Sequence, residues 1–174
     1  MDTNLSVNEI MLLVVENPIF CNIRTDIVIP NLSWGLLNHE ADLAIINKSG
    51  YLTEIEIKRS YQDLKKDFEK DVFHKDEKVY RFYYCLPISI KEKATALFLK
   101  NRDKFLELYG ETTLDVPAVI WYYDDGTVEI SKSCSHTGGR KLFMEEINKA
   151  IRYMSIRYWN LLSKVTKGNE IKKL

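Results

Sequence analysis

The chain has 174 residues, 45% of them hydrophobic and 29% charged, which is the composition of a folded domain with a sizeable core and excludes a disordered chain. Its 25 basic and 25 acidic residues cancel, so no global field draws it onto nucleic acid or an anionic membrane, and any such binding must come from local patches. Cys21, Cys85 and Cys134 are odd in number, far apart and without CxxC spacing, which excludes a disulfide framework and a zinc knuckle and predicts free thiols.

In chain order, the first element is a helix from about Val7 to Glu16, with Ser6 as N-cap and Glu9 three residues later closing a capping box. Its apolar run "IMLLVV" lies between Glu9 and Glu16 without a basic segment before it, so it is neither a signal peptide nor a membrane span, and the expected location is the cytoplasm. "CNIRTDIVIP" alternates Ile23, Thr25, Ile27 and Ile29 with more polar neighbours and ends at Pro30 and Asn31, as a strand followed by a turn. A second strand covers about Ala41 to Asn47, "KSG" makes a turn, and a third strand covers about Tyr51 to Lys58. The next helix starts at Ser60 as N-cap, has Asp63 at its third position, and carries Leu64, Phe68 and Val72 on one face.

"RFYYCLP", residues 81 to 87, reads as a fourth strand, and about Ile90 to Tyr109 as one long helix closed by Gly110. "VPAVIWYYDDGTVEISK", residues 116 to 132, reads as a hairpin turning near Asp125 and Gly126. The last helix spans about Lys141 to Lys164, with Phe143, Ile147, Ile151, Met154 and Tyr158 on its stripe. No linker or repeat interrupts the chain, so the expectation is a single domain over residues 1–174 with a mixed α/β sheet.

The third strand poses the chemical question. Period-two alternation puts Leu52, Glu54, Glu56 and Lys58 on one face, and an antiparallel neighbour turning through "NKSG" brings Asp42 level with Glu56. Two converging carboxylates, with a main-chain carbonyl such as that of Ile57 between them, are hard oxygen ligands suited to Mg²⁺. Such an ion lowers the pKa of water and neutralises charge building on a phosphate, and a neighbouring lysine adds charge stabilisation in the transition state. That is the chemistry of phosphodiester hydrolysis. Clustered like charges in the metal-free site further predict that substituting Asp42, Glu56 or Lys58 does not lower stability.

Asp42, a spacer of thirteen residues, then "EIK" at Glu56-Ile57-Lys58 on a strand followed at once by a helix, resembles the PD-(D/E)xK nuclease superfamily. The similarity continues through Ser60, Asp63 and Asp67 in "KRSYQDLKKD" and the later "FYYCLP", which looks like the MmcB-like DNA repair branch, and it covers about residues 39 to 90. The resemblance implies a restriction-endonuclease-like mixed central sheet flanked by helices, with an additional C-terminal hairpin and helix. It implies that Asp42 and Glu56 hold Mg²⁺, with Mn²⁺ as a substitute, that Lys58 serves the nucleophile and transition state, and that Glu9 supplies an additional carboxylate. The partner would be nucleic acid, DNA in the first instance, in repair or recombination. The departure is Ala41, where the motif has proline before the first acid.

Other readings stand beside this one. An E-x-E-x-K strand also suits a solvated sheet face with cross-strand ion pairs, and the same fold also serves non-catalytic nucleic-acid-binding or assembly proteins. Ser60 and Asp63 read as a helix cap, Glu54 as the partner of Lys58 or another basic side chain, and Glu40 as the substitute for Asp42. Lys65, Lys66 and Lys70 read as solvated helix surface. "SHTGGRK" lacks P-loop spacing and reads as a turn capping the last helix, and His39, His74 and His136 form no ligand pair by spacing, which argues against zinc. From Arg140 onward nine basic residues face three acids, a local patch suited to phosphate contacts, with Tyr153, Tyr158 and Trp159 read mainly as core.

Overall fold

A computed structural model describes residues 3–32, 35–69, 74, 76–109, 117–131 and 136–171, with the backbone alone at 106–109 and 168–171. Helix α1, Val7–Glu16, starts at the expected capping box: Ser6 accepts from the Glu9 N–H, and the Glu9 carboxylate accepts from the Ser6 N–H at 2.7 Å. The strands are β1 (Ile27–Leu32), β2 (Ala41–Ile46), β3 (Leu52–Ile57), β4 (Val79–Pro87), β5 (Ala118–Tyr122) and β6 (Val128–Ile130). They lie side by side in chain order, with β1, β2 and β3 an antiparallel meander, β4 and β5 parallel to β3, and β6 an antiparallel edge. Among the described residues no helix is long and apolar enough to cross a membrane.

Alternation along these strands divides the apolar residues between two cores. On one face, Leu43, Ile45, Ile55, Ile57, Cys85 and Ile120 meet Ile10, Met11 and Val14 of α1. On the other, Ala44, Leu52, Phe82, Tyr84, Val119 and Trp121 meet Leu64 and Phe68, which follow Ser60, together with Ala94, Phe98 and Phe105. Helices therefore cover both faces of a mixed α/β sheet. Asp42, Glu54, Glu56 and Lys58 share the parity of Leu52 and enter the second core, beneath helix α2, Tyr61–Asp67.

Three local expectations change ahead of the last helix. The first strand begins at Ile27 because Asn22 to Asp26 close a turn, with the Thr25 and Asp26 N–H groups donating to the Asn22 carbonyl, which leaves Ile23 68% exposed and Thr25 outside the sheet. It continues past Pro30 because β1 is an edge strand, where the missing N–H of proline costs no ladder bond. The long helix is two, α3 (Lys91–Lys100) and α4 (Arg102–Tyr109): at Asn101 the side-chain Nδ2 donates to the Leu97 carbonyl at 2.8 Å, the local competition with the helix ladder expected of asparagine. Gly110, Val72, Lys70 and Cys134 lie outside the described residues, whereas Cys21 and Cys85 are buried free thiols.

The last helix, α5, runs Met144–Ile171. Its packed stripe is Ile147, Ala150, Tyr153 and Met154, while Phe143, Ile151 and Tyr158 are exposed. Arg157 makes the last anchoring contact, donating to the Pro30 and Asn31 carbonyls at 2.8 Å each, and every described side chain beyond it is exposed, Trp159 included. The expectation that Tyr158 and Trp159 are core fails because the helix runs on past the edge strand that anchors it. Ahead of α5, residues 136 to 140 lie along β4, where Gly139 has no room for a side chain: a Cβ there would meet the Val79 carbonyl. The Thr137 and Arg140 N–H groups donate to the Tyr80 and Glu77 carbonyls, and Arg140 bridges Glu77 and Glu146, so this glycine segment serves packing and helix attachment.

Candidate functional site

The register of β2 on β3 sets Leu43 against Ile55, so Asp42 stands opposite Glu56 on the same face. The Ile57 N–H donates to Asp42 Oδ2 at 2.8 Å, fixing that carboxylate against the end of β3. Two residues on from Glu56, Lys58 returns to the same face and its Nζ lies 2.6 Å from Glu56 Oε1. The adjacency expected from the turn and the alternation is thus present, and Asp42, Glu56, Ile57 and Lys58 form one cluster. The Ile57 carbonyl makes no described contact with either carboxylate; the main chain of Ile57 meets the pair through its N–H.

The cluster extends further than strand alternation predicts. Lys58 Nζ also lies 3.1 Å from Asp67 Oδ1, and Asp67 Oδ2 accepts from the Tyr84 hydroxyl at 3.0 Å and faces His74 Nε2 at 3.1 Å. His74 Nδ1 lies 2.8 Å from Glu54 Oε1, and His39 Nε2 lies 2.9 Å from both Glu54 oxygens. Acids and bases therefore alternate from His39 through Glu54, His74, Asp67 and Lys58 to Glu56. Glu54, Asp67, Glu56, Lys58 and His74 are all buried, the first two essentially completely. Charge burial of this kind survives only with partners, and each group has at least one.

Protonation follows from these contacts. Burial and the adjacent Asp42 charge raise the Glu56 carboxyl to about 6, against the pull of His74 and Lys58, and burial likewise raises Asp42. Burial would lower His74, but its hydrogen bonds to Asp67 and Glu54 and their charges outweigh this and raise it to about 10. Burial would raise Glu54, yet the hydrogen bonds from His39 and His74 prevail and lower it. Lys58 is held above the ordinary lysine value, burial opposing and Glu56 and Asp67 prevailing.

A pH prediction follows from His74. Its folded value lies above the unfolded value near 6.5, so the stability it contributes is complete below about 6.5 and lost as pH rises through about 10. Metal-stripped protein should lose stability steadily over that interval in urea titrations, and His74→Gln should flatten the slope. A slope the same in wild type and variant places the titration elsewhere.

Glu9 does not join the cluster: it is exposed and its carboxylate accepts from the Ser6 N–H and hydroxyl, with Arg59 the nearby charge, so the implied additional carboxylate serves as a helix cap. Glu40 is exposed ahead of β2. Ser60 caps α2, accepting from the Asp63 N–H at 3.1 Å, while Lys65 and Lys66 are exposed, as their reading as cap and surface required. Glu54 finds its basic partners in two histidines rather than in Lys58. The signal for His39 and His74 was available in Glu54 itself: a carboxylate in the middle of a buried strand demands cationic or donor partners, and the Lys58 ammonium is directed at Glu56 and Asp67.

The donor set fits a hard divalent cation at Asp42 and Glu56. Four buried or half-buried carboxylates, Asp42, Glu54, Glu56 and Asp67, face three basic side chains, Lys58, His74 and His39, so acids outnumber bases in the cluster. Among the described residues no donor reaches Asp42 Oδ1 or Glu56 Oε2, so each carboxylate keeps one oxygen for an ion. Glu56, Asp67 and His74 also bring ligand atoms within 4.8 Å of one another, as do His39, Glu54 and His74.

No protein-family profile and no curated protein sequence matches the chain. A protein of unknown function from Silicibacter pomeroyi matches in structure with a TM-score of 0.49 and 12% identity, over 82% of this chain and 81% of that one.

Proposed function

We propose that the protein is a Mg²⁺-dependent nuclease of the PD-(D/E)xK type that hydrolyses phosphodiester bonds in DNA. The observation that carries this reading is Asp42 opposite Glu56 across an antiparallel pair, with Lys58 Nζ 2.6 Å from Glu56. Asp42 and Glu56 hold the ion, with Mn²⁺ as a substitute and the Ile57 carbonyl as the main-chain oxygen of the proposed ligand set. When bound, Mg²⁺ supplies Lewis acidity toward water and the scissile phosphate. Lys58, charged through the physiological range, sets its ammonium beside the place where phosphate charge builds, and Asp67 and His74 hold it there. Burial that disfavours ionised Glu56 and Asp42 also favours a cation between them. A restriction-endonuclease-like arrangement agrees with the mixed sheet covered on both faces and extended by the β5–β6 hairpin and α5.

DNA contact through the basic C-terminal part uses Arg152, Lys164 and Lys167, which are exposed; Lys149 donates to the Gly35 carbonyl and Arg157 to β1, so those two hold α5 in place. The free thiols Cys21 and Cys85 accord with a cytoplasmic setting. One observation favours a second reading, a nucleic-acid-binding protein without turnover: Lys58 is only 6% exposed and held by two carboxylates. Incubation with single-stranded, nicked, duplex and branched DNA, and with RNA, separates the two. Cleavage in Mg²⁺ or Mn²⁺ that EDTA abolishes is the expected result; salt-dependent binding with every substrate left intact supports the second reading.

A further inference from the structure

The half of the acid-base chain that lies away from Asp42 is built differently from the nuclease-like half. His39 comes from the segment before β2, Glu54 from the middle of β3 and His74 from the segment after α2, three stretches far apart in sequence. Their side chains converge, with His39 Nε2 2.9 Å from both Glu54 oxygens and His74 Nδ1 2.8 Å from Glu54 Oε1. The two imidazoles meet edge to face, centroids 5.2 Å apart and planes at 86°, so their inward nitrogens point at one carboxylate from different directions.

The outward nitrogens are what distinguish this arrangement from an ordinary ion pair. His74 Nε2 faces Asp67 Oδ2 at 3.1 Å, and His39 Nδ1 faces Asn38 Oδ1 at 2.7 Å. A histidine that ligates a metal through one ring nitrogen characteristically donates its other N–H to a carboxylate or amide oxygen, which fixes the tautomer and the ring orientation. Both histidines already have that partner. Glu54 is fully buried, and its two oxygens are equidistant from His39 Nε2, a disposition that suits a carboxylate ligand able to bind through one oxygen or both.

We propose that His39 Nε2, Glu54 and His74 Nδ1 form a second metal site, distinct from Asp42 and Glu56, that takes a borderline divalent transition metal such as Zn²⁺. Two imidazole nitrogens and one carboxylate select Zn²⁺ and its first-row neighbours over Mg²⁺, which prefers an all-oxygen octahedron. Binding replaces the protons on the two inward nitrogens with the ion, and those protons leave to buffer. Three protein ligands leave a coordination position for water or the second Glu54 oxygen. The ion ties together the segments before β2 and after α2 over β3 and, through His74 and Asp67, positions Lys58.

The test is titration of the metal-stripped full chain with Zn²⁺ in excess Mg²⁺, followed by calorimetry, with Co²⁺ as an absorbing substitute. One Zn²⁺ per chain is expected, with a Co²⁺ spectrum of a low-symmetry nitrogen and oxygen site. His39→Gln and Glu54→Gln should weaken Zn²⁺ binding by on the order of 10²-fold or more, and Asn38→Ala, which removes the outer partner of His39 and no proposed ligand atom, by on the order of tenfold. Asp42→Asn should leave Zn²⁺ affinity unchanged, which separates this site from the Mg²⁺ site. If Glu54→Gln does not fold, His39→Gln and Asn38→Ala carry the measurement, since both residues lie at the rim. Absence of Zn²⁺ binding by wild type in excess Mg²⁺ overturns the proposal, and so does affinity unchanged in His39→Gln or lost in His136→Ala.

Discussion

Asp42→Asn and Glu56→Gln are expected to abolish cleavage and weaken Mg²⁺ binding together, whereas Lys58→Met lowers the single-turnover rate by on the order of 10² or more while Mg²⁺ still binds. The distinction follows from geometry. Asp42 and Glu56 each keep one oxygen free of described donors, so removing either charge removes half of the side-chain ligand set. Asparagine retains an acceptor for the Ile57 N–H, which keeps the β2–β3 junction intact and makes the loss attributable to charge. In the proposed mechanism Lys58 contributes no ligand atom, and its effect belongs to the transition state. Metal binding and cleavage measured on the same preparations decide the matter: cleavage retained in Lys58→Met, or Mg²⁺ affinity unchanged in the Asp42→Asn, Glu56→Gln double variant, leaves "EIEIK" as a charged sheet face and nothing more.

Why Asp42, Glu56 and Lys58 were legible in the sequence, and the histidines were not, has a physical explanation. Alternation within β3 and the short turn to β2 are local, and local rules place side chains on faces and set registers. His39 and His74 lie outside the strand pair, fifteen residues before and twenty after Glu54, and no local rule of alternation or register relates them to it, so spacing along the chain carries no trace of their meeting. Glu9 shows the opposite failure. The capping box was read correctly from "SVNE", and that local role takes up the carboxylate that the resemblance assigned to the site. The break at Asn101 and the exposed far half of α5 belong to the same class as the histidines. Periodicity marks both segments as helical, but a side-chain bond to Leu97 and the edge of the sheet decide where the first helix breaks and where packing of the second stops.

Lys58→Met should also destabilise the protein, by about 3–5 kcal/mol at pH 8, the scale for removing one partner of a buried ion pair. Clustered charge alone predicts that relieving it is neutral or stabilising, and for Asp42 and Glu56 the expectation stands, because burial disfavours their ionised forms. It does not extend to Lys58, which is 6% exposed and neutralises Glu56 and Asp67 at 2.6 and 3.1 Å. Without it, Glu56 and Asp67 lose the ammonium that neutralises both, and His74, the other cation beside them among the described residues, lies 3.8 and 3.1 Å away. The sign of the pH dependence follows. In wild type Glu56 lies at about 6, above its unfolded value near 4.5, so its favourable contribution is complete below about 4.5 and lost as pH rises through about 6. Removing the ammonium raises that folded value further, and the variant therefore loses stability with rising pH over a wider interval than wild type. Urea unfolding of metal-stripped proteins should show the gap between wild type and Lys58→Met widening from pH 5 to 8. Adding Glu56→Gln to Lys58→Met should narrow it, because a neutral amide no longer needs the cation. Lys58→Met as stable as wild type at pH 8, or a gap that Glu56→Gln leaves unchanged, would mean that water rather than Lys58 balances these carboxylates.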